Sequence, residues 1–175
     1  RTIHLLRAKV ATPDDIKAVV RLEVDRERPL HIRRWMDLLW LHLDANQTGN
    51  TRGDFEIRYA QLLSQLHIAP NTIELSDVRE LSVQAQNPIQ RGLAAHLKLA
   101  HAIRSDTAQS ILDDARRWAR SFSQTHPVLA ARLYREIALA DLRAGRDDEG
   151  MAASRNALFL SRKGSNRDED ETTAI

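Results

Sequence analysis

Apolar residues recur along this chain at spacings of three and four, and proline or glycine interrupts the pattern where a helix should stop. Thr12-Pro13-Asp14-Asp15 is a start signal. Thr12 can cap, proline suits the first turn, and two acids face the positive end of the helix dipole. This helix should end before Pro29. The next is expected from about His31 to Gln47, with Ile32, Trp35, Met36, Leu39 and Leu43 on one stripe and Leu38, Trp40 and Leu41 outside it. A helix apolar over so much of its circumference is usually sandwiched between neighbours. Residues 48–53 are a polar loop, and Asp54 caps a helix with Phe55, Tyr59, Leu62, Leu63 and Leu66 at helical spacing.

Residues 69–87 read as irregular. Pro70-Asn71 breaks the chain, residues 72–75 suit an extended conformation, and Ser76-Asp77 would cap a short helix to Gln86. Asn87-Pro88 opens a helix to about Ile103 with Leu93, Leu97, Ala100 and Ile103 aligned. Ser105 or Asp106 should cap the next, which carries Ile111, Ala115, Trp118 and Phe122. His126-Pro127 starts a helix with Leu129, Leu133, Ile137 and Ala140 that stops at Gly145. A last helix covers about residues 147–162, with Gly150, Ala153, Ala157 and Leu158 facing its hairpin partner. Tyr134, Trp118, Trp35 and Phe55 are assigned to the core.

Short turns between helices and no strand alternation predict an all-α protein of antiparallel helical hairpins, stacked as a short α–α superhelix. Residues 1–162 would form one domain, divisible into sub-units 13–68 and 88–162 joined by 69–87. The turns after Arg104 and after Ala144 lie about 40 residues apart, near the period of stacked hairpin repeats. The polar tail 163–175, with four consecutive acids at Asp168–Glu171, is expected to be disordered.

Composition narrows the function. With 42% hydrophobic and 29% charged residues, the 175-residue chain can bury a core. No apolar run approaches the roughly 20 residues that span a bilayer, so no membrane insertion is expected. The absence of cysteine removes disulfides, thiolate–zinc sites and a cysteine nucleophile. Net charge is only +2, and basic residues alternate with acids instead of forming a stripe, which argues against nucleic acid. The chain begins at Arg1, as a piece of a longer protein would, and its first residues are no signal peptide, so a cytoplasmic location is expected.

No catalytic constellation stands out. His96 and His101 are five apart, about 140° round a helix, and cannot share a metal from one face. The remaining histidines read as scattered surface or half-buried residues. Asp14-Asp15, Asp113-Asp114 and Asp147-Asp148-Glu149 are adjacent in sequence, so their carboxylates diverge. No phosphate-binding or nucleophile-elbow glycine motif occurs. The expectation is a protein without catalytic activity, cofactor or metal. Arg26, Arg28, Arg33 and Arg34 around Pro29, and Arg116, Arg117 and Arg120 beside Trp118, read as solvated faces with local ion pairs.

Residues 127–162 resemble one tetratricopeptide repeat (TPR). Tyr134 stands where that family has its first large aromatic, followed by Ile137 and the small Ala138; Gly145 falls at the interhelical turn, and Ala157-Leu158 matches the small–large pair of the second helix. Asp141 replaces an expected aromatic, and Gly150 replaces the usual alanine. Residues 88–122 share the layout with few signature residues. Residues 31–70 loosely resemble the divergent helical repeats of large bacterial polar-scaffold and pilus-assembly proteins.

The TPR resemblance implies an adaptor, part of a larger bacterial protein, whose preformed groove grips a peptide or helix of a partner. Arg91, Lys98, Arg132 and Arg135 would project from the first helix of each hairpin as contact residues. Ala152 and Phe159 form a separate stripe on the last helix, with Phe159 a candidate contact for a partner or for homo-oligomerisation. The alternatives are a regulatory or oligomerisation domain of a transcription regulator or of a secretion or pilus-assembly component.

Overall fold

The structure, a computed structural model, describes residues 13–25, 30–35 and 55–172. Residues 1–12, the helix beyond Trp35, the loop 48–53, the Asp54 cap and Arg26 and Arg28 lie outside the described residues. Every regular element among the described residues is helical, and none is a strand. The chain divides into two compact units, residues 1–85 and 86–175.

In the first unit, α1 (Pro13–Asp25) packs on α2 (Phe55–Ile68), which also meets a 3₁₀ turn (Pro70–Thr72) and α3 (Leu75–Gln84). Ile16, Val19, Val20 and Val24 supply the buried stripe of α1. α2 buries Ile57 besides the expected Phe55, Tyr59, Leu62, Leu63 and Leu66, because helices or turns cover more than one of its sides. Residues 69–87 are more regular than expected. The N-cap is Glu74, whose N–H donates to Asp77 Oδ2 at 3.3 Å, so Asp77 does cap, from the third position of α3 as half of a capping box, while Ser76 lies inside the helix. Arg58 of α2 holds the same Asp77 at 2.8 Å, tying α3 to α2. Phe55 is buried as expected; Trp35, in the helical segment 30–35, is only half-buried.

The second unit contains α4 (Pro88–Arg104), α5 (Leu112–Phe122), α6 (Pro127–Arg143) and α7 (Asp147–Thr172). α4 and α6 are both 17 residues long with proline in the first turn. Asn87 caps α4, its side chain accepting from the Gln90 N–H at 2.9 Å. Both helices end alike. Asp106 (φ 56°) and Gly145 (φ 71°) adopt the left-handed conformation. The next N–H, from Thr107 or Arg146, returns to the carbonyl of Ala102 or Asp141 at 2.8 or 2.9 Å. This is the Schellman arrangement, which satisfies the last carbonyls of a helix. Pro88 and Pro127 are as far apart in the chain as Asp106 and Gly145.

That geometry corrects the reading of residues 105–111: Ser105 ends α4, and a 3₁₀ turn (Ala108–Ile111) precedes α5. α7 continues as backbone helix to Thr172, past the expected end near Arg162 and through most of the tail read as disordered.

The core of this unit is one cluster. It joins Leu99 and Ile103 of α4; Leu112, Ala115, Ala119 and Phe122 of α5; Leu129, Leu133, Ile137 and Ala138 of α6; and Ala153 and Leu160 of α7. Trp118 and Tyr134 sit half-buried at its edge, a correction to their assignment as core residues. α6 lies against α4, α5 and α7 alike. The left-handed Gly145 makes a simple test. Gly145→Ala meets no neighbour, yet the backbone conformation itself should cost about 1 kcal/mol, with Gly145→Asn costing less. Urea denaturation of both variants measures it.

Candidate interaction surfaces

The residue that most shapes this unit is Asp141, the third residue from the end of α6. Its side chain is 1% exposed. Arg116 of α5 donates from one Nη2 to both of its oxygens at 2.8 Å, and Arg146, in the turn to α7, donates through Nε at 2.9 Å. The Asp141 carbonyl also accepts the Arg146 N–H of the Schellman turn. Burial works against the Arg116 cation, but hydrogen bonding and charge from Asp141, then from Asp113, outweigh it and hold the guanidinium above its usual pKa. Arg143 adds a second tie, donating to the Ile103 carbonyl of α4 at 2.8 Å. Both ties cross from the α4–α5 pair to the α6–α7 pair.

Sequence reasoning missed this centre. It noted Asp141 as a departure from the repeat pattern and Arg116 as a surface charge. The available signal was a carboxylate on a face otherwise built of Leu133, Ile137 and Ala138. Burial there requires a charged partner, and Arg116 and Arg146 supply it. Arg117 does behave as expected, pairing with Asp114 on the same helix.

The expected contact residues are not gathered in one place. Arg91 and Lys98, seven apart, share an exposed face of α4. Arg135 is exposed on α6 with Val128, Leu139 and Leu142, a stripe 39–42% exposed at its apolar positions. Arg132 is 4% exposed and belongs to the buried side of α6, which removes it as a surface contact. Three positions earlier on the helix than Arg135, it points toward the helices that sandwich α6. Phe159 is 68% exposed, with Ala152 exposed beside it on the same stripe.

The inner face of α7 differs from the expected one. Gly150, Ala153, Ala157 and Leu160 follow at intervals of three, four and three and turn toward α6; Leu158, about 100° round from Ala157, is 56% exposed. The glycine in place of alanine has a local reason: a Cβ on Gly150 would stand 2.6 Å from Leu142 Cγ and 3.3 Å from the Ala138 carbonyl. Met151 is 50% exposed beside Leu158. Sequence periodicity did not mark Leu139, Leu142, Met151 or Leu158 as surface residues, because apolar side chains at helical spacing look alike inside and out.

His96 is buried, unlike the surface or half-buried place expected for the histidines. Among the described residues, no three His, Asp or Glu side chains are grouped to hold a metal ion, and no helix is long and apolar enough to cross a membrane. The chain matches no family model, and no curated protein and no solved structure matches it either.

Proposed function

We propose that this chain is a non-catalytic interaction scaffold of stacked helical hairpins, related in design to tetratricopeptide repeats, that presents a rigid surface to a peptide or helix of a partner protein. The single observation that carries it is the repetition in the second unit. Two 17-residue helices start at proline and end in the same left-handed turn, and each is followed by a helix joined to it by a short connection. Stacked hairpins of this kind build broad surfaces from packing alone, so the partner bears most of the ordering cost. The ties from Arg116 to Asp141 and from Arg143 to Ile103 stiffen the seam between hairpins, which suits preorganised binding. A regulatory or oligomerisation domain of a larger assembly is the related alternative, distinguished by self-association.

A peptide-display selection on the immobilised full chain tests the proposal. Enrichment of sequences with helical apolar spacing, bound with micromolar or tighter Kd, is the expected result. No enrichment, together with a low-salt gel shift on duplex DNA that collapses as salt rises, would replace the scaffold by a nucleic-acid-binding domain.

A further inference from the structure

The last hairpin carries an open apolar flank with a definite shape. α6 and α7 are joined by a three-residue turn and pack side by side in opposite directions. Round α6, the positions advance from the seam at Ala138 through Leu142 to Arg135, Val128 and Leu139. Round α7 they advance in the same sense from Ala157 through Gly150 to Ser154, Leu158 and Met151. Two right-handed helices running oppositely bring these positions onto one flank. The other flank is already marked by Asp141 meeting Arg116 and by Lys163 donating to Gln124 at 3.0 Å. The open flank therefore joins Val128, Leu139, Leu142, Met151 and Leu158, all between 39% and 56% exposed.

α6 shows what such a flank accepts. It lies against both helices of the preceding hairpin, α4 and α5. Where it meets α5, Leu112 and Ala119 are 1% and 0% exposed, and a carboxylate on α6 is taken by an arginine of α5. The open flank of α6–α7 has the same ingredients: large apolar side chains, small Ser154 and Ser161, and guanidinium groups at Arg135 in its middle and at Arg155 and Arg162 along its border. Among its described side chains the acids are Glu136, buried beside Arg135 at 3.6 Å, and Asp147 at one end, so three guanidinium groups stand against two carboxylates.

We infer that this flank seats an acidic amphipathic helix of a separate polypeptide, laid along the groove between α6 and α7 as α6 is laid along α4–α5. The inference rests on the scaffold proposal and adds the surface and the chemistry of the occupant. Leucine and alanine on the incoming helix cover Leu139, Leu142, Met151 and Leu158, and its carboxylates face Arg135, Arg155 and Arg162, since guanidinium forks bind carboxylates in two-point fashion.

The probes are a synthetic helix of about 20 residues, leucine and alanine on one face and glutamate along both borders, and its counterpart with lysine in place of glutamate. Fluorescence anisotropy with the full chain should give micromolar binding of the glutamate peptide and at least about tenfold weaker binding of the lysine peptide. Leu139→Asp and Leu158→Asp, each at an exposed position, should weaken binding at least about tenfold with unchanged helical circular dichroism, and Val83→Asp in the first unit should not. Arg135→Glu with Arg155→Glu should reverse the peptide preference. No binding, indifference to the leucine substitutions, or a loss at Phe159→Asp without one at Leu139→Asp would overturn the assignment. So would a dimer in sizing chromatography that Leu158→Asp dissociates, which would make a second copy the occupant. Helical peptides from display that ignore Leu139 and Leu158 would leave the scaffold standing and this flank wrong.

Discussion

Asp141→Ala should lower the unfolding free energy of this protein by about 3 kcal/mol, the lower part of the range for breaking a buried ion pair. The lower part applies because the two arginines it releases are 25% and 29% exposed and can turn to water, whereas Asp141 itself is 1% exposed. Losing the carboxylate also removes the oxygens that hold the Arg146 side chain to the end of α6. Arg116→Ala should cost less, about 1–2 kcal/mol, since Asp141 then keeps Arg146 and its burial is still partly offset. Urea denaturation of the three proteins gives the order directly. A loss below 1 kcal/mol for Asp141→Ala would show that the centre does not hold the hairpins together.

Gly92→Ala should destabilise by about 2 kcal/mol, opposite in sign to the gain of roughly 1 kcal/mol that helix propensity alone assigns. A Cβ at this position would stand 2.3 and 2.8 Å from the ring carbons of Phe122 and 3.0 Å from Leu129 Cδ2. Phe122 cannot swing clear. It is 4% exposed, stacks on Trp118 at 5.6 Å between ring centres, and meets His126 at 5.7 Å. Shortening the neighbour provides the control: in a Phe122→Leu background, Gly92→Ala should lose most of its penalty. Thermal or urea unfolding that shows Gly92→Ala as stable as the parent would mean that α4 and α5 approach less closely than described.

These two residues also mark where the amino-acid sequence was readable and where it was not. Helix type and most boundaries followed from local signals. Asn87-Pro88, His126-Pro127 and Gly145 act within one or two turns, and their cap and turn chemistry does not depend on what packs nearby. Residues 69–87 and 105–111 were less legible because their turns draw on groups several residues away: Glu74 meeting Asp77, and Thr107 reaching back to Ala102. Long-range placement was the least legible. The close approach that Gly92 permits becomes visible only once Phe122 of α5 lies across it, and Asp141 looked like a defect in a repeat pattern until Arg116 arrived from another helix. Leu158 and Leu160 differ by two positions, yet only the approach of α6 decides which is buried. Periodicity states that a face exists; it does not say whether a neighbour covers it.

For the candidate surface the balance was similar. Arg91, Lys98, Arg135 and Phe159 are exposed, but they are spread over three helices, α4, α6 and α7. Arg132, expected at the surface with them, is buried, because α6 is enclosed by three helices and has only a narrow outer stripe. The apolar residues of that stripe, and those of α7 beside it, are what the fold adds.

Native-state hydrogen exchange on the full chain tests most directly whether the two hairpins of the second unit form one platform. Amides of residues 94–103, 115–119, 129–141 and 153–160 should share one high opening free energy, and Asp141→Ala should lower it for all four helices together. If Asp141→Ala released α6 and α7 while α4 and α5 kept their full protection, the hairpins would be separate bodies, and a scaffold stiffened across their seam would be ruled out.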